Sequence, residues 1–305
     1  MAVFKLGLVG AGRMGRTHLR ALVGSETVAI TAVTEPALLV RNEFAQAGLA
    51  VHATLDAMLD AGGIDGVLIA APSDTHLELV RRVAAAGLAI LCEKPCGTTA
   101  AQAADAARIT HAAGIKLQIA YWRRFVPALR RLRQRIADGA FGGIYLAACY
   151  QWDERAPPAS FRAHSGGIFV DMGVHEFDQL RWLTGQDITR VHASATTVAH
   201  DEPVGGDAES AQVLCELSGG STGLVSLGRR FPHGDVCWAH IFGTRDAEEC
   251  RFLWPPDAEA AFLQALRLQA ENFARGVVGT ETDAARAEDA VAALTAAEAA
   301  SCVLR

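Results

Sequence analysis

The chain has 305 residues, half of them hydrophobic, and a net charge of −6. That supplies enough apolar material for two ordinary domains and argues against nucleic acid as the main partner. No apolar stretch approaches the roughly 20 residues that span a bilayer, and the opening MAVFKLGLVG lacks the pattern of a secretion signal, so a soluble cytoplasmic protein with no membrane partner is expected. The seven cysteines show no metal-ligand spacing and read as reduced thiols, with no metal site expected.

The first third alternates. Short β-rich apolar runs at 4–9, 28–34, 65–71, 88–92 and 116–120 are separated by helical segments at 13–23, 37–47, 75–86 and 99–113, with a short strand at 51–54. Continuous apolar strands alternating with helices predict a doubly wound parallel sheet of the Rossmann type. Directly after the first strand comes Gly10-Ala11-Gly12-Arg13-Met14-Gly15. In this context the motif reads as a dinucleotide loop. Gly10 allows the tight turn, Gly12 lets backbone amides approach a pyrophosphate at the helix N-terminus, and Gly15 lets helix and strand pack closely. Glu35 closes the second strand, where it can accept hydrogen bonds from a ribose diol and repel a 2′-phosphate. NAD is therefore expected over NADP, with Arg13 and Arg41 as the nearby residues able to receive a phosphate.

Ala71, Ser73 and His76 follow the fourth strand at the edge where ligands bind in open α/β sheets, and are expected along the nicotinamide half of the cofactor. The fifth strand ends in Cys92-Glu93-Lys94-Pro95 at the same edge, with Glu93 and Lys94 beside the cofactor.

After about residue 120 the rhythm changes, so domains of 1–120 and 121–305 are expected. A helix near 127–138 and a strand at 143–152 precede a helix from about Val170. Strand-like runs at 191–198, 211–217, 222–230 and 236–243 predict an antiparallel or mixed sheet, and Ala-rich helices at 257–276 and 284–303 close the chain. Arg130, Arg131, Arg133 and Arg135 read as the wet faces of the 127–138 helix. In the helix from Val170, Asp171, His175, Asp178 and Trp182 stand at i, i+4, i+7 and i+11, on one stripe in an apolar setting. A buried polar pair left unsatisfied costs a few kcal/mol, so Asp171 and His175 form either a closed structural bond or working chemistry. Gly219–Gly223 formally matches a nucleophile elbow, but strand-like segments on both sides make it a hairpin turn.

In order along the chain, GAGRMG, Glu35, CEKP, YWRRF and GGIFVDMGVHEFDQLRWLTG resemble the Gfo/Idh/MocA family of oxidoreductases, most closely its inositol dehydrogenase branch. The resemblance implies a Rossmann domain followed by an α/β domain whose open sheet makes a subunit interface, hence a homodimer or homotetramer. It also implies hydride transfer between a nicotinamide and a carbinol carbon of a sugar or cyclic polyol. The family's conserved lysine matches Lys94, and its aspartate and histidine match Asp171 and His175. Ser73 stands where the family often has asparagine.

Alcohol oxidation needs a base, and histidine is the natural choice. His175 is therefore read as the general base, Asp171 as its partner and Lys94 as the cation that favours the developing alkoxide. Trp122, Arg123, Asp153 and His233 join His175 as candidates for holding substrate hydroxyls; Asp178 is set aside as the partner of a structural arginine. Three alternatives stay open: an aldose oxidised at its anomeric carbon, a keto-sugar reduced with NADPH, and a dinucleotide-binding regulatory protein.

Overall fold

The computed structural model describes residues 2–197, 207–280 and 283–303. They fall into two compact units, the first made of the described residues of Met1–Gly97, Ala101–Ala120 and Leu263–Glu288. It contains β1 (Phe4–Val9), α1 (Arg13–Leu22), β2 (Val28–Thr34), α2 (Leu38–Gln46), β3 (Ala50–His52) and α3 (Leu55–Ala61). These are followed by β4 (Gly66–Ile69), α4 (His76–Ala85), β5 (Ala89–Cys92), α5 (Ala100–Ala112) and β6 (Leu117–Ile119). The strands form one sheet in the order β3-β2-β1-β4-β5-β6, with every neighbouring pair parallel.

β4 and β5 are buried along their whole length, as expected of strands covered on both faces. The strand order reverses between β1 and β4, so the loops after these two strands flank the switch point at which such sheets bind ligands. One helix of this unit was not foreseen. Thr54, taken as the end of a strand, instead caps α3 by accepting a hydrogen bond from the Ala57 amide at 3.2 Å. With only Leu55 and Met58 buried, so short a helix carries little periodic signal.

The second unit comprises Thr98–Ala100, Tyr121–Phe262 and the described residues of Asp289–Arg305. It contains α6 (Pro127–Ala137), β7 (Ile144–Trp152), α7 (Ala159–Arg162), α8 (Val174–Thr184), β8 (Ile188–Thr196), β9 (Ser210–Leu217), β10 (Thr222–Gly228), β11 (Val236–Gly243) and β12 (Ala247–Leu253). Two helices follow, α9 (Ala258–Val277) and α10 (Ala287–Val303). The chain leaves the first unit at residue 120, and residues 263–288 return to it. The reason is apolar burial: Ala270, Phe273 and Ala274 of α9 belong to the same core as Phe4, Leu6, Leu68 and Leu91, and Phe273 meets Phe4 edge-on at 5.9 Å.

The second sheet runs β12-β11-β7-β10-β9-β8. β7 and β10 pair in parallel and the other neighbours are antiparallel, giving the mixed, largely antiparallel sheet predicted. The edge strand β12, AEECRFL, was not foreseen because its charged residues mask the apolar alternation. Val198, the last residue of the expected 191–198 strand, lies outside the described residues. Of the arginines read as wet, Arg130, Arg131 and Arg135 are exposed, while Arg133 is half-buried and donates to the Trp182 carbonyl at 3.0 Å. Among the described residues no helix is long and apolar enough to cross a membrane.

Candidate functional site

The nucleotide loop is built on backbone. Gly10 adopts a φ of +95°, and a Cβ there would lie 2.7 Å from the Ala70 carbonyl oxygen; at Gly15 it would lie 2.1 Å from the Gly10 oxygen. Beside Gly12 nothing lies within 4 Å of where a Cβ would stand. Gly12 is also the N-cap of α1, with no side-chain cap and no acidic residue in the first turn. That N-terminus therefore offers its amides and partial positive charge to an anion. Arg13 is exposed and Met14 half-buried beside it.

Glu35 leans against this loop: its carboxylate accepts from the Ala11 amide at 3.1 Å and the Ala37 amide at 3.0 Å. A carboxylate retains acceptor capacity beyond two such bonds, as a ribose diol requires. Arg41 is turned onto the carbonyls of Glu35 and Pro36 at 2.8 and 2.6 Å. These residues fit a bound NAD.

The loop after β5 differs in detail from the sequence reading. Glu93 and His76 were expected beside the cofactor, yet both are buried and turned inward. Glu93 lies 2.6 Å from Nε2 of His18 on α1 and accepts the Lys94 amide at 3.2 Å. The His76 ring faces the Pro95 carbonyl at 2.7 Å and the Ala71 carbonyl at 2.8 Å. Burial lowers the pKa of His76, only partly offset by these carbonyls. These side chains build the frame of the loop. Lys94 itself is half-buried, as are Ala71 and Ser73.

In the second unit the expected α-helix from Val170 begins later. Phe169–Gly173 is a π-helical turn, and α8 starts at Val174. Wide turns of this kind are frequent at functional sites. Asp171 therefore stands in the turn and His175 in the first turn of α8. Sequence spacing pairs these two; the structure also gives Asp171 to Arg229, which donates to its Oδ2 at 3.0 Å. Arg229 is 0% exposed and lies 3.1 Å from Asp207, close enough for an ion pair although not aligned for a hydrogen bond. Asp207 accepts the Ile168 amide at 2.8 Å and so anchors the start of the turn.

The His175 ring is flanked edge-on by Tyr121 and Trp122, at centroid distances of 5.9 and 6.2 Å, and its Nδ1 is buried with no hydrogen bond. Two further arginines hold α8. Arg124 binds Asp178 at 2.5 and 2.9 Å, the structural role expected for Asp178. Arg123 forms a short contact with Glu176 and donates to Gln151 at 2.7 Å. Burial raises the Glu176 pKa to about 6, against the pull of Arg123.

Arg123, expected on substrate, is thus enclosed, and the Gln151 it binds donates in turn to Asp153 at 2.9 Å. Asp153 is half-buried, His233 is exposed on the segment after β10, and Trp122 is buried against Phe262 and His175. Sequence reading missed Arg229 and His18. Arg229 carried a weak signal, as a charged residue closing an apolar strand; His18, on the apolar side of α1, carried none.

Comparisons with known proteins agree with this fold. Residues 4–121 match the family described as "Oxidoreductase family, NAD-binding Rossmann fold", and residues 129–247 match "GFO/IDH/MocA C-terminal domain". The chain is 55% identical over 303 residues to the rhizopine catabolism protein MocA of Rhizobium meliloti, covering 99% of this chain and 95% of the relative. It is 30% identical to an inositol 2-dehydrogenase of Rhizobium meliloti strain 1021, covering 97% and 95%. The solved scyllo-inositol dehydrogenase of Lactobacillus casei, with bound NAD(H) and scyllo-inositol, superposes with a TM-score of 0.88 at 26% identity, covering 99% of this chain and 97% of that one. The chain belongs to the Gfo/Idh/MocA family of oxidoreductases.

Proposed function

We propose that the protein is an NAD-dependent dehydrogenase acting on a secondary carbinol of a cyclic polyol of the inositol class. The observation that carries this reading is the imidazole of His175, enclosed by the Tyr121 and Trp122 rings and four residues after a carboxylate that Arg229 holds in an ion pair. The inositol dehydrogenases among its relatives support the substrate class.

NAD, when bound, supplies the nicotinamide that accepts hydride. The chain's own groups do the rest. The amides at Gly12 hold the pyrophosphate and Glu35 receives the adenosine ribose hydroxyls. His175 takes the hydroxyl proton, and the Asp171 carboxylate favours the imidazolium that results. The Lys94 ammonium stabilises the developing alkoxide. Asp153, steadied through Gln151 and Arg123, and His233 hold the remaining substrate hydroxyls, with Trp122 packing against the ring. The exposed Leu214 and Phe242 on one face of the second sheet support a homodimer or homotetramer through that face. Six buried free cysteines support a reducing, cytoplasmic setting.

The test is the absorbance of reduced nicotinamide with NAD or NADP and a panel of inositols, aldoses and open-chain polyols at alkaline pH. Turnover of an inositol with NAD is expected, falling by about 10²–10⁴ in His175→Ala and Lys94→Ala. Turnover only of an aldose would move the chemistry to the anomeric carbon, and turnover only with NADP would overturn the role of Glu35. Silence across the panel, with NAD still quenching protein fluorescence, would point to a regulatory protein.

A further inference from the structure

Within the first unit, the residues on both sides of Lys94 are tied down by buried histidines that the reaction scheme leaves idle. On the far side, the Pro95 carbonyl lies 2.7 Å from Nδ1 of His76, whose Nε2 reaches back to Ala71. On the near side, the Glu93 amide donates to the Ile69 carbonyl at 2.9 Å, which fixes its backbone to β4. The Glu93 side chain does more. One oxygen lies 2.6 Å from Nε2 of His18, and the other accepts the amide of Lys94 itself at 3.2 Å. His18 is 0% exposed and Glu93 is buried. A buried carboxylate without a partner is costly, and apolar residues of similar volume usually serve stability at least as well. A pair kept in such a place and bonded to the backbone of Lys94 is suited to a task other than stability.

We propose that His18 is a positioning residue for Lys94, acting through Glu93. This rests on the assignment of Lys94 to the reaction. The Glu93 carboxylate has its two oxygens committed in different directions, one to α1 and one to the lysine backbone. Its rotamer therefore sets the plane of the Glu93–Lys94 peptide, and with it the direction in which the lysine side chain departs. His18 holds that rotamer. Because α1 also presents the Gly12 amides at its start, one rigid helix carries both the pyrophosphate end of the cofactor site and the anchor of the lysine. Displacement of a reacting group by about 1 Å costs on the order of 10²-fold in rate. Loss of the anchor should therefore appear in kcat while cofactor affinity stays.

The experiment compares His18→Leu, His18→Gln, Glu93→Gln, the double variant His18→Leu/Glu93→Gln and Lys94→Ala. For each, kcat, the KM for an inositol, NAD affinity by fluorescence quenching and Tm are measured on the full chain. Gln at 18 keeps an N–H near the position of Nε2 and should retain kcat within about threefold, whereas Leu should lower it about 10²-fold. NAD affinity should stay within about twofold in both. The double variant removes the buried charge and should recover Tm without recovering kcat. That split separates positioning from stability. A His18→Leu protein with reduced Tm and unchanged kcat would overturn the inference, as would NAD affinity falling in step with kcat. If His18→Leu does not fold, an unchanged kcat in Glu93→Gln overturns it equally. Lys94→Ala reads the underlying assignment alone: turnover retained there removes Lys94 from the reaction, whereas an inactive Lys94→Ala beside a normal His18→Leu sinks only the anchor.

Discussion

The two units hold their functional groups by different means. In the first, position is a backbone property: glycines at 10 and 15 admit atoms where side chains would collide, Gly12 leaves open space, and Glu35 and Lys94 sit at the ends of buried parallel strands. In the second, position comes from three arginines. Arg123, Arg124 and Arg229, from two separate stretches of chain, clamp Glu176, Asp178 and Asp171 in and before α8. Backbone devices tolerate changes in neighbouring side chains, whereas a buried ion pair fails when either partner is removed. The first unit should therefore break through shape and the second through charge.

The largest effect is expected at Arg229. Arg229→Leu leaves Asp171 and Asp207 buried without their cation, at a cost of about 3–5 kcal/mol, read as a lowered urea midpoint together with lost turnover; Arg229→Lys should recover part of the former. Gly15→Ala comes next. Its methyl would meet a backbone oxygen that cannot step aside, so a loss toward the top of the ~1–3 kcal/mol range for overpacking is expected, with weakened NAD binding.

Glu176 gives a pH signature of roughly 2 kcal/mol. Its pKa is raised by burial to about 6, so the folded protein holds this proton more tightly than the unfolded chain. The stability it contributes is complete below the unfolded carboxylate range and is lost as pH rises through about 6. Tm measured across that window should lose part of its downward slope in Glu176→Gln; an unaltered slope would remove Glu176 as its source. The smallest effect on the fold is expected at Gly12, where the space is open. Gly12→Val should leave Tm unchanged yet weaken NAD binding at least tenfold, about 1.4 kcal/mol. If Tm falls as well, that space is needed by the fold itself.

The same contrast explains what could be read from the sequence. The glycine loop, Glu35 and Lys94 were legible because each depends on a strand, a turn and a helix adjacent in sequence. The Asp171–Arg229 bond joins residues 58 apart and the His18–Glu93 contact residues 75 apart, and no local pattern announces such partners. Glu93 and His76 follow β5 and β4 at the carboxyl edge of the sheet, but the direction of their side chains depends on what packs beneath. The π-helical turn was invisible for a related reason. Asp171 and His175 keep the spacing of an α-helix in the sequence, while the turn is set by the contacts of Arg229 and Asp207.

The cluster around Arg229 also has an electrical balance. Arg229 faces two carboxylates, Asp171 and Asp207, and the charge of Arg162 also acts on Asp207. Two positive charges thus stand against two negative in a region sheltered from water, where charges are poorly screened. Removal of any one of the four leaves a net charge that is poorly screened, so the cluster stands or falls as a unit.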